Sequence, residues 1–431
     1  MRRVPYSTVS AMYQSPRGTH DVLPEDVAVW LHVEAEARRQ ARLAGYGEIR
    51  TPTFEETAVF QRGVGAATDI VEKEMYTFGD KGGDSLTLRP EATAGIVRAY
   101  LQHGMASRPQ PVKIFSIIQA FRYDRPSKGR FRQFHQVDFE AIGEGDALVD
   151  AELVARQWRF YAQLGLEGLS LQLNSIGDSV CRPGYVAALA EYFERHRSSL
   201  CGDCQRRLLT NPLRVLDDKT PSCQPILDGA PRSADHLCGP CQEHFDLWLG
   251  YLRAAGLPFT VSARLVRGLD YYTRSVWEIW PPKVGAQSTL GGGGRYDGLA
   301  EQLGGRPTPG VGFATGIERI ILELRDQGVT LPVAPGVDAY IAYQHAGAKG
   351  AAVRLAESLR SNGISSELAF GERKLGKQLA AADRAGAQAA LILGDDELAS
   401  ETVTIKDLRD SREQRTVPRG DVVSELRRPR A

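Results

Sequence analysis

The chain has 431 residues, with 53 basic and 53 acidic side chains, so no overall charge draws it to polyanions. Hydrophobic residues make up 42% and charged residues 25%, the composition of a globular protein, and this length exceeds one core and implies two or three domains. No run reaches the ~18 apolar residues of a membrane span, MRRVPYSTVS lacks the apolar segment of a secretory signal, and six cysteines suit a reducing cytoplasm better than a disulfide scaffold.

Residues 1–15 are expected to form an extension. Pro24 to Ala44 predicts a helix: Val27, Trp30, Leu31, Ala37, Ala41 and Ala44 recur at helical spacing, Glu25 and Asp26 favour its start, and Gly45 and Gly47 stop it. EIRTPTFE predicts a strand whose Pro52 belongs at a sheet edge or a subunit boundary. SLTLRPEAT and PVKIFSIIQAFRYD predict two further strands. After Gly129, RFRQFHQVDFEAIG alternates again, which makes an antiparallel hairpin with a long tip. Asp146 to Leu164 predicts a helix, and residues 177–255 a helical region rich in cysteine. SARLVRGLDYYTRSVWEIW returns to strand pattern, GGGGRYDGL follows, and GVGFATGIERIILEL predicts a helix. PVAPG, within residues 331–336, is a linker by composition. Beyond it DAYIAY, SSELAF, AALILG and TVTIKD alternate with helical segments, the pattern of a separate small α/β domain.

The hairpin tip concentrates charge. FRYDRPSKGRFRQFHQ holds five Arg or Lys residues and four aromatic rings in an otherwise neutral chain. Arg122 precedes the turn, inside the apolar alternation. Gln136 and Glu140 lie four apart on the returning strand and share one face. An Arg offers a planar fork for phosphate, and a carboxylate facing the same cleft suits an amine. RGLDYYT sets Arg267 beside Tyr271 and Tyr272. In GIERI, Gly316 is expected to permit close approach, and Arg319, one turn in, to lie over a flat ring. Singly, each reads as a surface charge or ordinary packing; together, in this order, they point to a cleft for a ligand with phosphate and amine groups.

These stretches resemble the class II aminoacyl-tRNA synthetases, specifically the histidyl-tRNA synthetases, from PRGTHDVLPED at Pro16 to KDLRD at Asp410. The family's first motif is similar to the helix plus EIRTPTFE, its second to FRYDRPSKGRFRQFHQVDFE and its third to GVGFATGIERI; RGLDYYT and GGGGRYDGL resemble its histidine-specific signatures. The resemblance implies an α+β protein. Its catalytic core would be an antiparallel sheet over residues 16–176 and 256–330, with a helical insertion at 177–255. Residues 337–431 would form a C-terminal α/β anticodon-binding domain. It implies ATP-dependent ligation of L-histidine to histidine tRNA through a histidyl adenylate, in the cytoplasm, by a homodimer whose interface includes the first motif.

By the same resemblance, Arg122, Arg319 and Gly316 bind ATP, and Arg267 stabilises the α-phosphate and the attacking carboxylate. Magnesium accompanies the triphosphate, held by phosphate oxygens and water. Glu91, Ala92, Thr93 and Gln136 surround the α-amine, and Glu140, Tyr271 and Tyr272 the imidazole side. Arg125, Lys128 and Arg130 at the hairpin tip would meet the tRNA acceptor end. Two other readings compete. One is a regulatory paralogue without catalysis, which would have lost the phosphate-binding arginines retained here. The other is a synthetase for threonine or proline, against which RGLDYY stands.

Two departures from the family pattern are Ala92, where glycine is usual, and Asp138. The latter is expected to point away from the face of Gln136. The run Gly291 to Gly294 lacks the Lys-Ser/Thr ending of a Walker loop, and its glycines are expected to admit the adenylate. Cys201, Cys204, Cys238 and Cys241 form two CxxC pairs, read either as one structural zinc site or as four free thiols. Cys181 and Cys223 read as ordinary residues.

Overall fold

The computed structural model describes residues 13–65, 68–283, 289–410 and 412–428. The first twelve residues, most of the expected extension, lie outside the described residues. The chain forms two compact units, divided between Pro332 and Val333.

In the first unit, β1 (Gly47–Glu48) is followed by a small antiparallel sheet of β2 (Phe54–Glu56), β3 (Tyr76–Gly79) and β4 (Ser85–Leu88), in the order β2-β4-β3. Seven more strands join β1: β5 (Val112–Phe121), β6 (Gln133–Ile142), β7 (Ser170–Ser175), β8 (Thr260–Val261), β9 (Thr273–Trp280), β10 (Gly291–Arg295) and β11 (Gly310–Gly316). They form an eight-stranded sheet ordered β1-β5-β6-β11-β10-β9-β7-β8, antiparallel except for the edge pairs β1–β5 and β7–β8.

Alternation gives this sheet two faces. Val137, Phe139 and Ala141 of β6, Val311 and Phe313 of β11, and Trp277 and Ile279 of β9 join one buried core. Residues of the helices Pro24–Ala44, Ala147–Gln163, Gly239–Ala254 and Ile317–Asp326 complete it. Phe139 and Phe313 stack there, centroids 4.9 Å apart. The intervening side chains, among them Gln136, Asp138 and Glu278, face the other way into a cleft. The Ala147–Gln163 helix begins as expected, with Asp146 Oδ1 accepting from the Leu148 N–H at 2.8 Å.

Three expectations on element type need correction. EIRTPTFE is not one strand: it breaks around Pro52, which has no N–H for a ladder, and its halves enter different sheets. GVGFATG is a strand, and the helix begins only at Ile317. Small and β-branched residues fit the crowded centre of the sheet, and the helical period starts after them. SARLVRGLDYY is irregular, and the strand begins at Thr273.

The second unit has a five-stranded sheet of β12 (Ala339–Tyr343), β13 (Ser366–Leu368), β14 (Ala389–Leu393), β15 (Thr402–Asp407) and β16 (Arg415–Pro418), ordered β13-β12-β14-β15-β16. The first three strands are parallel, crossing over through helices Lys349–Ser361 and Leu375–Arg384. Ile341, Leu355, Leu359, Leu391 and Ile405 pack its core. β16 was not anticipated.

Candidate active site

The cleft of the first unit, of about 1430 Å³, is lined by Glu91, Thr93, Arg122, Gln136, Arg267, Tyr271, Tyr272, Gly316 and Arg319. Glu140 of β6 lies buried behind it, bonded to the lining residues Thr93 and Tyr296. The chain therefore brings together the residues that four separate sequence stretches supply.

The floor is a buried hydrogen-bonded set. Glu140, 1% exposed, accepts from Thr93 Oγ1 at 2.6 Å on Oε1 and from Tyr296 Oη at 2.5 Å on Oε2. Burial pushes its pKa up to about 8, against the lowering by those two hydroxyls. Glu91 accepts the N–H groups of Thr93 and Ala94 at 2.7 and 2.9 Å, at the start of the helix Thr93–Gln102. Its pKa is also raised by burial, with those N–H groups opposing. Oε1 of Gln136 is buried and accepts no hydrogen bond. Such a group is costly unless a ligand completes it. Ala92 is buried and leaves this arrangement intact.

Asp138 corrects an expectation. It lies two residues from both Gln136 and Glu140, so the pleat puts all three on one face, and Asp138 lines the cleft. It is 1% exposed with Oδ2 unpartnered, and burial, then Glu140 and Glu91, hold its pKa well above the usual range.

Three arginines stand over this floor. Arg122 donates through Nε to Pro90 O at 2.9 Å and lies 5.3 Å from the Phe134 ring centroid. Arg267 pairs with Glu278 and lies over Tyr272, while its buried Nε has no partner. Arg319 donates to the carbonyls of Gly129 and Thr289 at 3.1 and 3.0 Å. Burial lowers its pKa, and Arg122 and Arg130 lower it further. Half-buried like charges gathered around one cleft suit a polyanionic ligand.

The glycines also give room to the protein's own side chains. A Cβ on Gly292 would overlap the Trp277 carbonyl and come 2.9 Å from Arg267 Nη1, and one on Gly294 would lie 2.6 Å from the Tyr272 ring. The run thus makes room for the arginine and the tyrosine, besides any ligand. At Gly316 a Cβ would meet Arg319 at 3.6 Å, an ordinary contact, so no protein neighbour demands that glycine.

At the hairpin tip, Arg130 lines the cleft and pairs with Asp124 at 3.0 Å, and Lys128 pairs with Asp326 at 2.6 Å. Arg125 is exposed. Sequence reasoning missed Tyr296, although it stands inside the quoted GGGGRYDGL, and Glu278, whose role depends on a partner eleven positions away. It also missed Glu318, which binds the His135 backbone N–H at 2.9 Å and its ring Nδ1.

The cysteines are arranged otherwise than expected. Cys201, Cys204, Cys238 and Cys241 do not form one set. Cys201 and Cys204 cluster with Asp218 and Cys223, and Cys238 and Cys241 cluster with Asp178 and Cys181. The CxxC turns open two different helices, Gly202–Thr210 and Gly239–Ala254, and each meets its own loop. Cys181 and Cys223, expected to stand apart, each belong to one of these clusters. The insertion also borders the cleft, through Arg214 and Asp217 to Thr220.

Comparison with known proteins agrees with this geometry. The family model described as "Histidyl-tRNA synthetase" matches residues 18–182 and 243–320, and the one described as "Anticodon binding domain" matches 333–428. The "Histidine--tRNA ligase" of Dehalococcoides mccartyi is 51% identical over 97% of this chain and 100% of its own length. That of Pelotomaculum thermopropionicum is 50% identical over 96% of this chain and 97% of its own. The apo crystal structure of Staphylococcus aureus histidyl-tRNA synthetase superposes with a TM-score of 0.81 at 38% identity, covering 96% of this chain and 100% of that one.

Proposed function

This chain belongs to the histidyl-tRNA synthetase family, and from that premise we propose how its residues divide the work. The reaction is ATP-dependent ligation of L-histidine to tRNA through a histidyl adenylate, releasing AMP and pyrophosphate. The carboxylate of histidine attacks the α-phosphate of ATP, and the histidyl group then passes to the terminal ribose. Both steps are displacements among anions, so positioning and charge neutralisation carry the catalysis.

Arg122 and Arg319 hold ATP, with Gly316 beside them, and Arg267 lies against the α-phosphate and the attacking carboxylate. What supports this is the set of three half-buried guanidiniums around one cleft. The link of Arg267 to Glu278 fixes its fork before substrate arrives. Glu91 and Gln136 take the α-amine, with Thr93 and Ala92 shaping that end. Glu140 takes the imidazole N–H, oriented by Thr93 and Tyr296, with Tyr271 and Tyr272 walling the ring. A pocket that hydrogen-bonds both ring nitrogens rejects apolar isosteres by ~10⁴-fold without editing.

Magnesium neutralises phosphate charge when bound. It would be held mainly by phosphate oxygens and water. The tip residues Arg125, Lys128 and Arg130 contact the acceptor end of histidine tRNA, and residues 337–431 read the anticodon. The catalytic core comprises residues 16–176 and 256–330, and 331–336 link the two parts. The enzyme works in the cytoplasm as a homodimer; exposed Phe54 and Phe78, paired edge to face on the small sheet, support an interface there.

The observation that carries the histidine reading is Glu140, buried and doubly hydrogen-bonded below the three arginines. ATP–pyrophosphate exchange with each of the twenty amino acids tests it. Exchange should depend on histidine, and equal exchange with threonine or proline would refute it.

A further inference from the structure

The family model leaves residues 183–242 unmatched, and this stretch holds five of the six cysteines. It opens on the helix Arg182–Arg195, but between Arg197 and His236 its helices are only nine and five residues long and are joined by short 3₁₀ segments. Its own core is small, with Tyr185, Leu189, Phe193 and Leu227 among the larger members. Segments of this kind need a further constraint to hold one conformation.

Two clusters supply candidate constraints. In each, three sulfurs and one carboxylate oxygen lie within 4.8 Å of one another. Cys181 Sγ and Cys238 Sγ stand 3.6 and 3.9 Å from Oδ1 of Asp178, and Cys201 Sγ stands 3.7 Å from Oδ2 of Asp218. A tetrahedral ion with bonds of about 2.3 Å to sulfur and about 2.0 Å to oxygen has sulfur–oxygen edges of roughly 3.5 Å, so these spacings match.

The surroundings suit thiolates. Cys201 Sγ accepts the Cys204 N–H at 3.4 Å and the Thr220 hydroxyl at 3.7 Å, Cys223 Sγ accepts the Cys201 N–H at 3.2 Å, and Cys181 Sγ accepts the Asp178 N–H at 3.4 Å. Both CxxC turns sit at the N-terminal ends of helices, where the dipole favours negative charge. Arg274 Nη2 lies 3.4 Å from the other oxygen of Asp178. Disulfides would serve poorly, because three thiols per cluster leave one over, beside a carboxylate.

We propose that the insertion holds two structural zinc ions, one on Asp178, Cys181, Cys238 and Cys241 and one on Cys201, Cys204, Asp218 and Cys223. Thiolate donors select a borderline-soft ion such as zinc over magnesium. Binding each ion releases the three thiol protons to water and involves no redox step. Four protein ligands leave no open position, so the role is structural. The first ion pins Asp178 and Cys181, next to Arg182, whose guanidinium donates to the Tyr272 carbonyl. The second fixes the lip at Asp218–Thr220 that borders the cleft.

The test is metal analysis of full-length protein purified reduced and without chelator. Two zinc ions per chain are expected. Cys201→Ser and Cys238→Ser should each leave one. X-ray absorption on the unaltered protein keeps the question open to decision even if those variants misfold: the average shell should hold three sulfurs and one oxygen. Asp218→Cys should keep two ions and raise the sulfur count. Zero or one ion per chain after incubation with zinc, loss of all metal in either single variant, or an all-sulfur shell in the unaltered protein would overturn the proposal.

Discussion

Thr93 donates its hydroxyl hydrogen to Oε1 of Glu140 over 2.6 Å, joining the first turn of a helix to the middle of the central sheet. Because Tyr296 occupies the other oxygen, the carboxyl cannot rotate, and its remaining lone pairs define where an imidazole N–H must lie. Glu140→Gln keeps the shape and loses the charge. It should raise the Michaelis constant for histidine and leave that for ATP nearly unchanged. An unaltered histidine dependence in pyrophosphate exchange would remove Glu140 from the pocket.

The same carboxyl predicts a pH dependence. With its pKa pushed up to about 8 by burial, it is mostly protonated at neutral pH in the free protein. The ionised form binds the imidazole N–H better, so the Michaelis constant for histidine should fall roughly fivefold between about pH 7 and 8, the rise in ionised fraction for such a group. The Glu140→Gln enzyme should lack this slope. For folding the sign is opposite: the contribution of this raised pKa is complete below about 4.5 and is lost as pH rises through about 8.

Arg267 should matter to rate more than to binding. Arg267→Ala removes a charge aimed at the reacting phosphate and is expected to lower the adenylation rate by ~10²–10³ with little change in ATP affinity. Single-turnover kinetics at saturating ATP decide this. A loss confined to ATP affinity would assign Arg267 to ground-state binding instead.

At the hairpin tip, Arg125→Ala should impair transfer to tRNA while leaving pyrophosphate exchange within about twofold, and the defect should shrink as salt is raised, because one phosphate contact fewer makes binding less salt-dependent. Arg130→Ala should lower both, because Arg130 also lines the cleft. Equal losses in exchange and transfer for Arg125→Ala would place the whole loop at the ATP site.

Deeper in the core, Arg295 and Asp150 are both fully buried and paired, and Arg295 also donates to the carbonyls of Glu144 and Asp146. Asp150→Ala leaves that guanidinium Asp297, 3.2 Å away, as its ionic partner and should still cost about 3 kcal/mol of stability. Chemical denaturation should show it, and an unchanged midpoint would mean that Asp297 and the carbonyls suffice.

Much of the site was legible because its residues sit in short runs whose chemistry survives without coordinates. Arg122, Gln136 and Glu140 follow from one hairpin, and Arg267, Tyr271 and Tyr272 from one signature. What escaped was set by tertiary contact. Glu278 and Tyr296 acquire meaning only through Arg267 and Glu140. The cysteine grouping depends on which loops the helices meet, so pairing by CxxC spacing joined the wrong halves. GVGFATG reads as helix by composition, but a place between β10 and β6 makes it strand.

β10 contributes backbone and almost no side chain until Arg295, and the rings of its neighbours reach across it. The Trp277 ring comes 2.6 Å from where a Gly293 Cβ would be, and a Cβ on Gly312, next door in β11, would overlap the Glu140 carboxylate. Reshaping the specificity of this enzyme therefore cannot start from the glycines, where any added methyl collides with the machinery. It has to start from the ring that lines the cleft, at Tyr272, where trimming leaves a void that a different amino acid could fill.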